Sequence, residues 1–305
     1  MSLWNKDIKP MLLGEVDEVF DSKEYLYEVK YDGIRVLVFV SKDKIVIRSR
    51  YGIDITGLFP EMKVLCKMVK DDVIFDGEII MLDNNKVSFS KLQKRIHLKN
   101  KKTIEFLSKT NPVIFICFDV IYEGKDLINL NLLERKDILN KYKDNDVFIK
   151  STYVIEEGTK LFNAIKKLDM EGIVAKKINS KYLVNERSDN WLKIKNYKGE
   201  NFIILGYINK EESHVISLVL GEYLNKKIVY VGKVILGKKR SLADKILKMK
   251  KSKGVVEIKD KDVIYIKPEI KCFVKYLERT DNGLLRQPFI CLLYTSDAAD
   301  DTLQV

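Results

Sequence analysis

Hydrophobic and polar positions alternate in short blocks along most of this chain. Residues 24–48 read as two strands of a hairpin, "EYLYEVKYDG" followed by "RVLVFVSKDKIVIRSR". In the second, Val36, Val38 and Val40 alternate with Leu37 and Phe39, so both faces are at least partly buried. "DDVIFDGEIIMLD" predicts another strand, interrupted at Asp76-Gly77. The nearly continuous apolar run "PVIFICFDVIY" predicts a central strand. Between the strands, "LLERKDILNKY" and "TKLFNAIKKLD" read as helices. In the second, Leu161, Phe162, Ile165 and Leu168 have helical spacing behind Thr159 as N-cap. "MEGIVAKK" and "WLKIKN" predict short strands that carry charges.

After about Lys198 the texture changes. "NFIILGYI", "HVISLVLGEYL" and "KKIVYVGKVI" precede a helix, "SLADKILKMKKS", and then "VIYIKPEIKCFVKYLERT". Several short strands with one helix among them predict a small β-barrel such as an OB-fold, with a boundary near "NYKGEN". The fold class expected is therefore α+β, with antiparallel sheets and helices followed by a barrel. There are no internal repeats and no low-complexity linkers.

With 305 residues, 46% of them hydrophobic, the chain supports a real core and two domains. No apolar run is long enough to span a bilayer, and the opening "MSLWNKDIKPMLLGEVDEVF" does not read as a signal peptide. Cys66, Cys117, Cys272 and Cys291 are scattered, which gives neither a zinc site nor a disulfide framework and fits a reducing cytoplasm. A formal net charge of +11 favours a polyanionic partner, nucleic acid being the commonest. A solvated lysine-rich surface weighs about as much on charge alone.

The stretch "YEVKYDGIRV" changes that balance. Lys30, Asp32, Gly33 and Arg35 crowd one turn. A lysine amine is a nucleophile only when deprotonated, and its ordinary pKa is about 10.4. Nearby cations and partial desolvation lower that value, and Gly33 lets a ligand come close. Lys30 could then attack an electrophile such as the α-phosphate of a nucleotide. Further along the chain come "SRYG" with Arg50, "DGE" with Glu78, "FICFD" with Phe118 beside Asp119, "EGIVAKK" opening on Glu171, and "WLKIK" with Lys193 and Lys195 on one strand face.

In this order and at these spacings, the motifs resemble those of the covalent nucleotidyltransferase superfamily, and most closely its ATP-dependent DNA ligases. The signature K-x-D-G-x-R stands as Lys30-Tyr31-Asp32-Gly33-Ile34-Arg35, preceded by Glu28 in E-x-K. The likeness runs from about residue 8 to 288. It implies an ATP-grasp-like ligase domain over 1–198, a truncated OB-fold domain over 199–291, and Lys30 as the residue that forms a phosphoramide with AMP. It also implies that Glu78 accepts hydrogen bonds from the ribose hydroxyls, that Phe118 stacks on adenine, and that Glu28 helps read the adenine edge. Glu171 would help to bind Mg²⁺, Lys193 and Lys195 would hold the α-phosphate, and Arg35 and Arg50 would contact phosphate of the nucleotide or the nick.

Capping guanylyltransferases and RNA ligases are the alternatives within the superfamily, and a non-catalytic nucleic-acid clamp is the alternative outside enzymes. The full E-x-K-x-D-G-x-R, "SRYG" and "WLKIKNYK" favour a minimal two-domain DNA ligase similar to those of bacterial repair and end joining. ATP, Mg²⁺ and nicked double-stranded DNA are the implied ligands. A monomer in the cytoplasm, associated with the nucleoid, is expected, with end-joining proteins left open as partners. One departure is plain. The ligase pattern continues past "LLRQPF" into a basic motif that assists attack on ATP. Here the chain turns into "CLLYTSDAADDTLQV", which resembles translated sequencing-adapter text, so residues 292–305 are expected to add no strand to the barrel.

Overall fold

The computed structural model describes residues 2–210, 215–236, 240–260, 262–280, 282–294 and 302–304. Contacts divide the chain into two units, Met1–Asn196 and Tyr197–Val305. In the first unit the elements are β1 (Leu12–Glu15), β2 (Tyr25–Lys30), β3 (Ile34–Val40), β4 (Ile45–Ser49), β5 (Val73–Ile80), β6 (Leu82–Asp83), β7 (Lys86–Val87), α1 (Phe89–Ile96) and α2 (Lys101–Thr110). They are followed by β8 (Ile114–Glu123), α3 (Leu132–Leu139), β9 (Phe148–Lys150), β10 (Tyr153–Ile155), α4 (Gly158–Lys167), β11 (Gly172–Lys177) and β12 (Arg187–Lys195).

These strands make two principal five-stranded sheets. One has the order β1-β12-β11-β2-β10 and the other β4-β3-β5-β8-β9. Pairing is antiparallel except for β1 with β12 and β8 with β9. The expected hairpin over 24–48 is thus corrected. β2 and β3 lie in different sheets, and the true hairpin is β3–β4. Both segments alternate well enough to be strands, but periodicity does not choose a partner. The short link Tyr31–Gly33 crosses between the sheets. Only glycine fits at its end, since a Cβ on Gly33 would lie 2.2 Å from the Ile79 carbonyl oxygen.

The other elements show smaller differences. β5 runs through Asp76-Gly77 without ending, as a bulge against β8. The apolar run of β8 occupies an interior position beside β5. α3 starts with a capping box between Asn131 and Glu134. α4 begins with Glu157 as N-cap rather than Thr159, whose backbone N–H instead donates to Asp21 Oδ1 at 2.7 Å.

Side-chain alternation splits the core into layers. Val36, Val38, Phe75, Ile79 and Phe115 pack beneath the 3₁₀ segment Pro60–Lys67 and α1 on one face of the second sheet. Leu37, Phe39, Ile74 and Ile121 of its other face meet Leu26 and Trp191 of the first sheet. Tyr27, Ile173, Ala175 and Ile194 close the far side, with Ile165 of α4 packed among them. The cleft described below lies between the two sheets. It rests on a fully buried ion pair, in which Arg135 of α3 grips Asp119 through Nε (2.9 Å) and Nη2 (2.9 Å) and donates to the carbonyls of Leu130 and Ser180. Replacing Arg135 by Met leaves Asp119 as an uncompensated buried charge. Destabilisation of about 3–5 kcal/mol is expected, read as a lower urea midpoint.

The second unit contains β13 (Lys198–Lys210), β14 (Val215–Leu224), β15 (Lys227–Ile235), α5 (Arg240–Leu247), β16 (Ile264–Tyr265), β17 (Lys271–Tyr276), β18 (Glu278–Arg279), β19 (Leu285–Arg286), β20 (Phe289–Tyr294) and β21 (Thr302–Gln304). Its sheet has the order β15-β14-β13-β17-β20-β21, with β16 on β13, around Phe202, Ile204, Leu218, Leu220, Val274 and Ile246. Closure into a barrel is not among the described pairings. Nor does pairing stop at Cys291, as the sequence pattern implied. Leu292–Tyr294 continues β20 beside β17, and Thr302–Gln304 pairs with it in turn. The apolar run "FICLLY" carries the ladder past the point where the motif likeness ends. The remaining residues of 292–305 lie outside those described. No helix among the described residues is long and apolar enough to cross a membrane.

Candidate active site

Register decides which side chains meet. On the first sheet, Lys30 pairs with Gly172 and Gly172 with Lys195; Glu28 pairs with Val174 and Val174 with Lys193; Leu26 pairs with Lys176 and Lys176 with Trp191. Paired residues share a face, so Glu28, Lys30, Lys176, Trp191, Lys193 and Lys195 all face the cleft. Across it, Arg35 and Glu78 are paired on the second sheet.

Lys30 Nζ lies 2.7 Å from Glu171 Oε1, and the two side chains are 20% and 8% exposed. Gly172, with φ +154°, lets the β12 backbone lie close against the start of β11: a Cβ there would lie 2.1 Å from the Ile194 carbonyl oxygen. Glu78 completes the centre. Burial pushes its carboxyl up to about 8; Lys30 and Arg35 pull it down, while Glu171 and Asp76 push it further up. A raised carboxyl stabilises the fold fully only below its unfolded value near 4.5 and loses that contribution as pH rises through 8. Wild type should therefore lose urea stability between pH 5 and pH 8, and Glu78→Gln should flatten that slope. Equal slopes in the two proteins would refute the assignment.

Lys193 and Lys195 meet Glu15 at 2.9 and 3.5 Å. Burial alone would raise the Glu15 carboxyl, but hydrogen bonding from Lys193 and the charge of Lys195 hold it below its usual range. Nothing local marks Glu15 in the sequence; the parallel register of β1 on β12, which sets Glu15 against Lys193, brings it in.

Arg35 is committed within the protein. Its Nε and Nη2 donate to Asp76 at 3.1 and 2.8 Å, and Tyr182 donates its hydroxyl to the same carboxylate at 2.6 Å. Its guanidinium lies 5.1 Å from the centre of the half-buried Phe118 ring. Lys176 Nζ is 4.2 Å from that ring and 4.1 Å from Trp191. Glu28, 2% exposed, is bound by Lys136 of α3 at Oε1 and by Lys176 at Oε2, the latter at 2.6 Å. Arg50 is outside this cluster, on an exposed turn with its guanidinium 5.6 Å from the Tyr51 ring centre. The structure thus gathers Glu28, Lys30, Arg35, Glu78, Phe118, Glu171, Lys193 and Lys195 and leaves Arg50 aside. Asp76 and Lys176 sit inside "DGE" and "EGIVAKK", so their motifs were visible although their contacts were not.

A lysine paired with a carboxylate in a cleft between two mainly antiparallel sheets fits a nucleotidyltransferase. The ATP dependent DNA ligase domain family model matches residues 10–195, and the chain belongs to that family. It is 31% identical over 289 residues to the SPbeta prophage-derived DNA ligase-like protein LigB of Bacillus subtilis (strain 168), covering 92% of this chain and 97% of that one. It is 29% identical over 299 residues to the multifunctional non-homologous end joining protein LigD of Mycolicibacterium smegmatis, covering 93% of this chain but only 38% of that longer protein. The crystal structure of the ligase domain of M. tuberculosis LigD superposes with a TM-score of 0.58 at 25% identity, covering 100% of both chains.

Proposed function

We propose that this protein seals nicks in duplex DNA through a lysyl-AMP intermediate. The observation that carries the reading is Lys30 held 2.7 Å from Glu171, with Glu78, Lys193 and Lys195 in the same cleft. Lys30 Nζ attacks the α-phosphorus of ATP as the free amine. A P–N bond forms, the bond to the β-phosphate oxygen breaks, and pyrophosphate leaves. Glu171 is placed to hold the proton that Nζ gives up. Lys193 and Lys195, released from Glu15 onto phosphate oxygens, offset the charge that builds as pyrophosphate departs. AMP then passes to the 5′-phosphate of a nick, and the 3′-hydroxyl displaces it.

Glu78 would bind the ribose, Phe118 would stack on adenine, and Glu28 would face the base edge. Arg35 serves this site by fixing Asp76 and covering Phe118, while Arg50 on the open turn is the better placed of the two for nick phosphate. Among the described residues no preformed cluster of metal ligands exists. The carboxylate of Glu171 still fits Mg²⁺, which binds through one or two carboxylates plus substrate phosphates. When bound it would polarise the phosphates, and Glu171 would hold it.

We read the second unit as an OB-fold domain, on the strength of its consecutive antiparallel strands with α5 inserted before β16 and β17. The protein acts as a monomer, on nicked DNA, in bacterial repair. Incubation with labelled ATP and Mg²⁺, followed by a nicked duplex, tests the reading. A covalent AMP adduct that is discharged as the nick closes is expected. An adduct that forms with GTP in preference, or that discharges only onto RNA ends, would move the protein to another branch of the superfamily.

A further inference from the structure

Glu28 and its two lysines form a buried cluster with more cation than it needs. One ammonium would neutralise the carboxylate, yet Lys136 and Lys176 both bind it, at 2% and 3% side-chain exposure. They come from different elements, Lys136 from α3 and Lys176 from β11. They occupy different oxygens. Lys136 is further braced over the ring of Tyr153, at 5.4 Å, and Tyr153 is the residue paired with Glu28 across β10 and β2. Lys176 is braced between the rings of Phe118 and Trp191. A carboxylate held from both sides cannot rotate freely.

Glu28 also faces the cleft beside Lys30, two residues away on the same strand. Burying three charges for stability alone is a poor arrangement, because each loses its hydration and the second cation repels the first. The cluster makes better sense as a device that fixes the direction of the carboxylate's lone pairs.

We propose that Lys136 is a positioning residue that sets the base selectivity of the nucleotide pocket, by anchoring Glu28 Oε1 so that the carboxylate meets a 6-amino purine and opposes a 6-oxo purine. This rests on the ligase reading above, in which the base lies at Glu28 and Phe118. An ionised carboxylate only accepts hydrogen bonds. The amine at C6 of adenine donates to it. The carbonyl at C6 of guanine or hypoxanthine would face it acceptor to acceptor, in a site with little water to relieve the clash. The discrimination holds only while Glu28 points its oxygens, rather than the lysine ammoniums, at the base. Without Lys136, Oε1 loses its anchor and the carboxylate can swing toward Lys176. The ammonium of Lys176 is then able to donate to a 6-oxo group.

The test compares ATP, GTP and inosine triphosphate in self-adenylation or its equivalent on the full chain, in wild type and in Lys136→Met. Lys136→Met keeps the length of the side chain and removes its charge. KM for ATP should rise about tenfold or more with a smaller change in kcat. The preference for ATP over GTP and inosine triphosphate should narrow by about tenfold or more, since one misdirected buried hydrogen-bonding group costs selectivity on this scale. Lys136→Arg, which keeps a cation on α3, should recover most of the preference. Should Lys136→Met not fold, as judged by circular dichroism, Lys136→Gln is measured in its place with the same expectations. A parallel loss with all three nucleotides in a folded variant, the ratio unchanged, overturns the proposal and leaves Lys136 with a packing role. The two readings fail separately. A wild type that forms no nucleotide adduct sinks the ligase reading. A wild type that forms it, beside an uncharged variant with unchanged selectivity, sinks only the role of Lys136.

Discussion

Lys30→Ala should abolish AMP attachment, a loss on the order of 10⁴-fold or more, because the adduct forms on the Lys30 amine itself. Lys193 and Lys195 lie on the same face, but both are on β12, two strands' width from β2, and Glu15 engages both. The fold should survive. Lys30 is 20% exposed at the end of β2, outside the layered core, so its truncation removes little packing. Its removal does unbalance the carboxylates: Glu78 loses the largest charge that lowers it and should titrate higher still. The check is intact-mass measurement and peptide mapping after incubation with ATP and Mg²⁺, alongside circular dichroism of the variant. Label on another lysine, or undiminished label in Lys30→Ala, would contradict the assignment.

Much of this site was legible before any coordinates, and the reason is local. K-x-D-G-x-R puts nucleophile, turn and guanidinium within six consecutive residues, and strand alternation alone sets Lys193 and Lys195 on one face. What stayed hidden was long-range. β2 and β3 read as one hairpin because both alternate, and only the tertiary fold sends them to opposite walls of the cleft. Glu15 has no motif around it and enters through the parallel pairing of β1 with β12. Arg35 was expected on phosphate, but a buried guanidinium must satisfy its donors, and Asp76, diagonal to it on the neighbouring strand β5, takes them. Lys136 sits in an unremarkable helical string, "LLERKDILNKY", and gains its meaning from a contact 108 positions away in the chain. The apolar run after Pro288 belongs to a ladder even though its sequence no longer matches the ligase pattern.

Affinity for nicked duplex should collapse with salt. The charges of the cleft largely cancel there: Lys30 against Glu171, Arg35 against Asp76, Arg135 against Asp119, and Lys136 and Lys176 on Glu28. The surplus behind the net charge of +11 is therefore carried mainly outside it. Lys94, Lys99, Lys101 and Lys102 are exposed around α1 and the start of α2, Lys166 and Lys167 end α4, and Lys245, Lys248 and Lys250 are exposed in and after α5. Exposed lysines bind a duplex through phosphates and release its condensed counterions, so affinity follows the salt concentration steeply. If about 6–10 phosphates are contacted, affinity should fall by roughly 10³–10⁵ between 50 and 200 mM salt. Base changes away from the nick should matter little, because phosphate contacts carry no sequence information. Fluorescence anisotropy titrations of a nicked duplex at three salt concentrations measure the slope directly. Self-adenylation by ATP, measured in the same buffers, should vary far less, since its nucleophile Lys30 is held by the buried Glu171 and a small nucleotide releases few counterions. A flat binding response, or adenylation that falls in step with DNA affinity, would mean that the lysine surface is merely solvated and that the cleft charges are the ones the salt reaches.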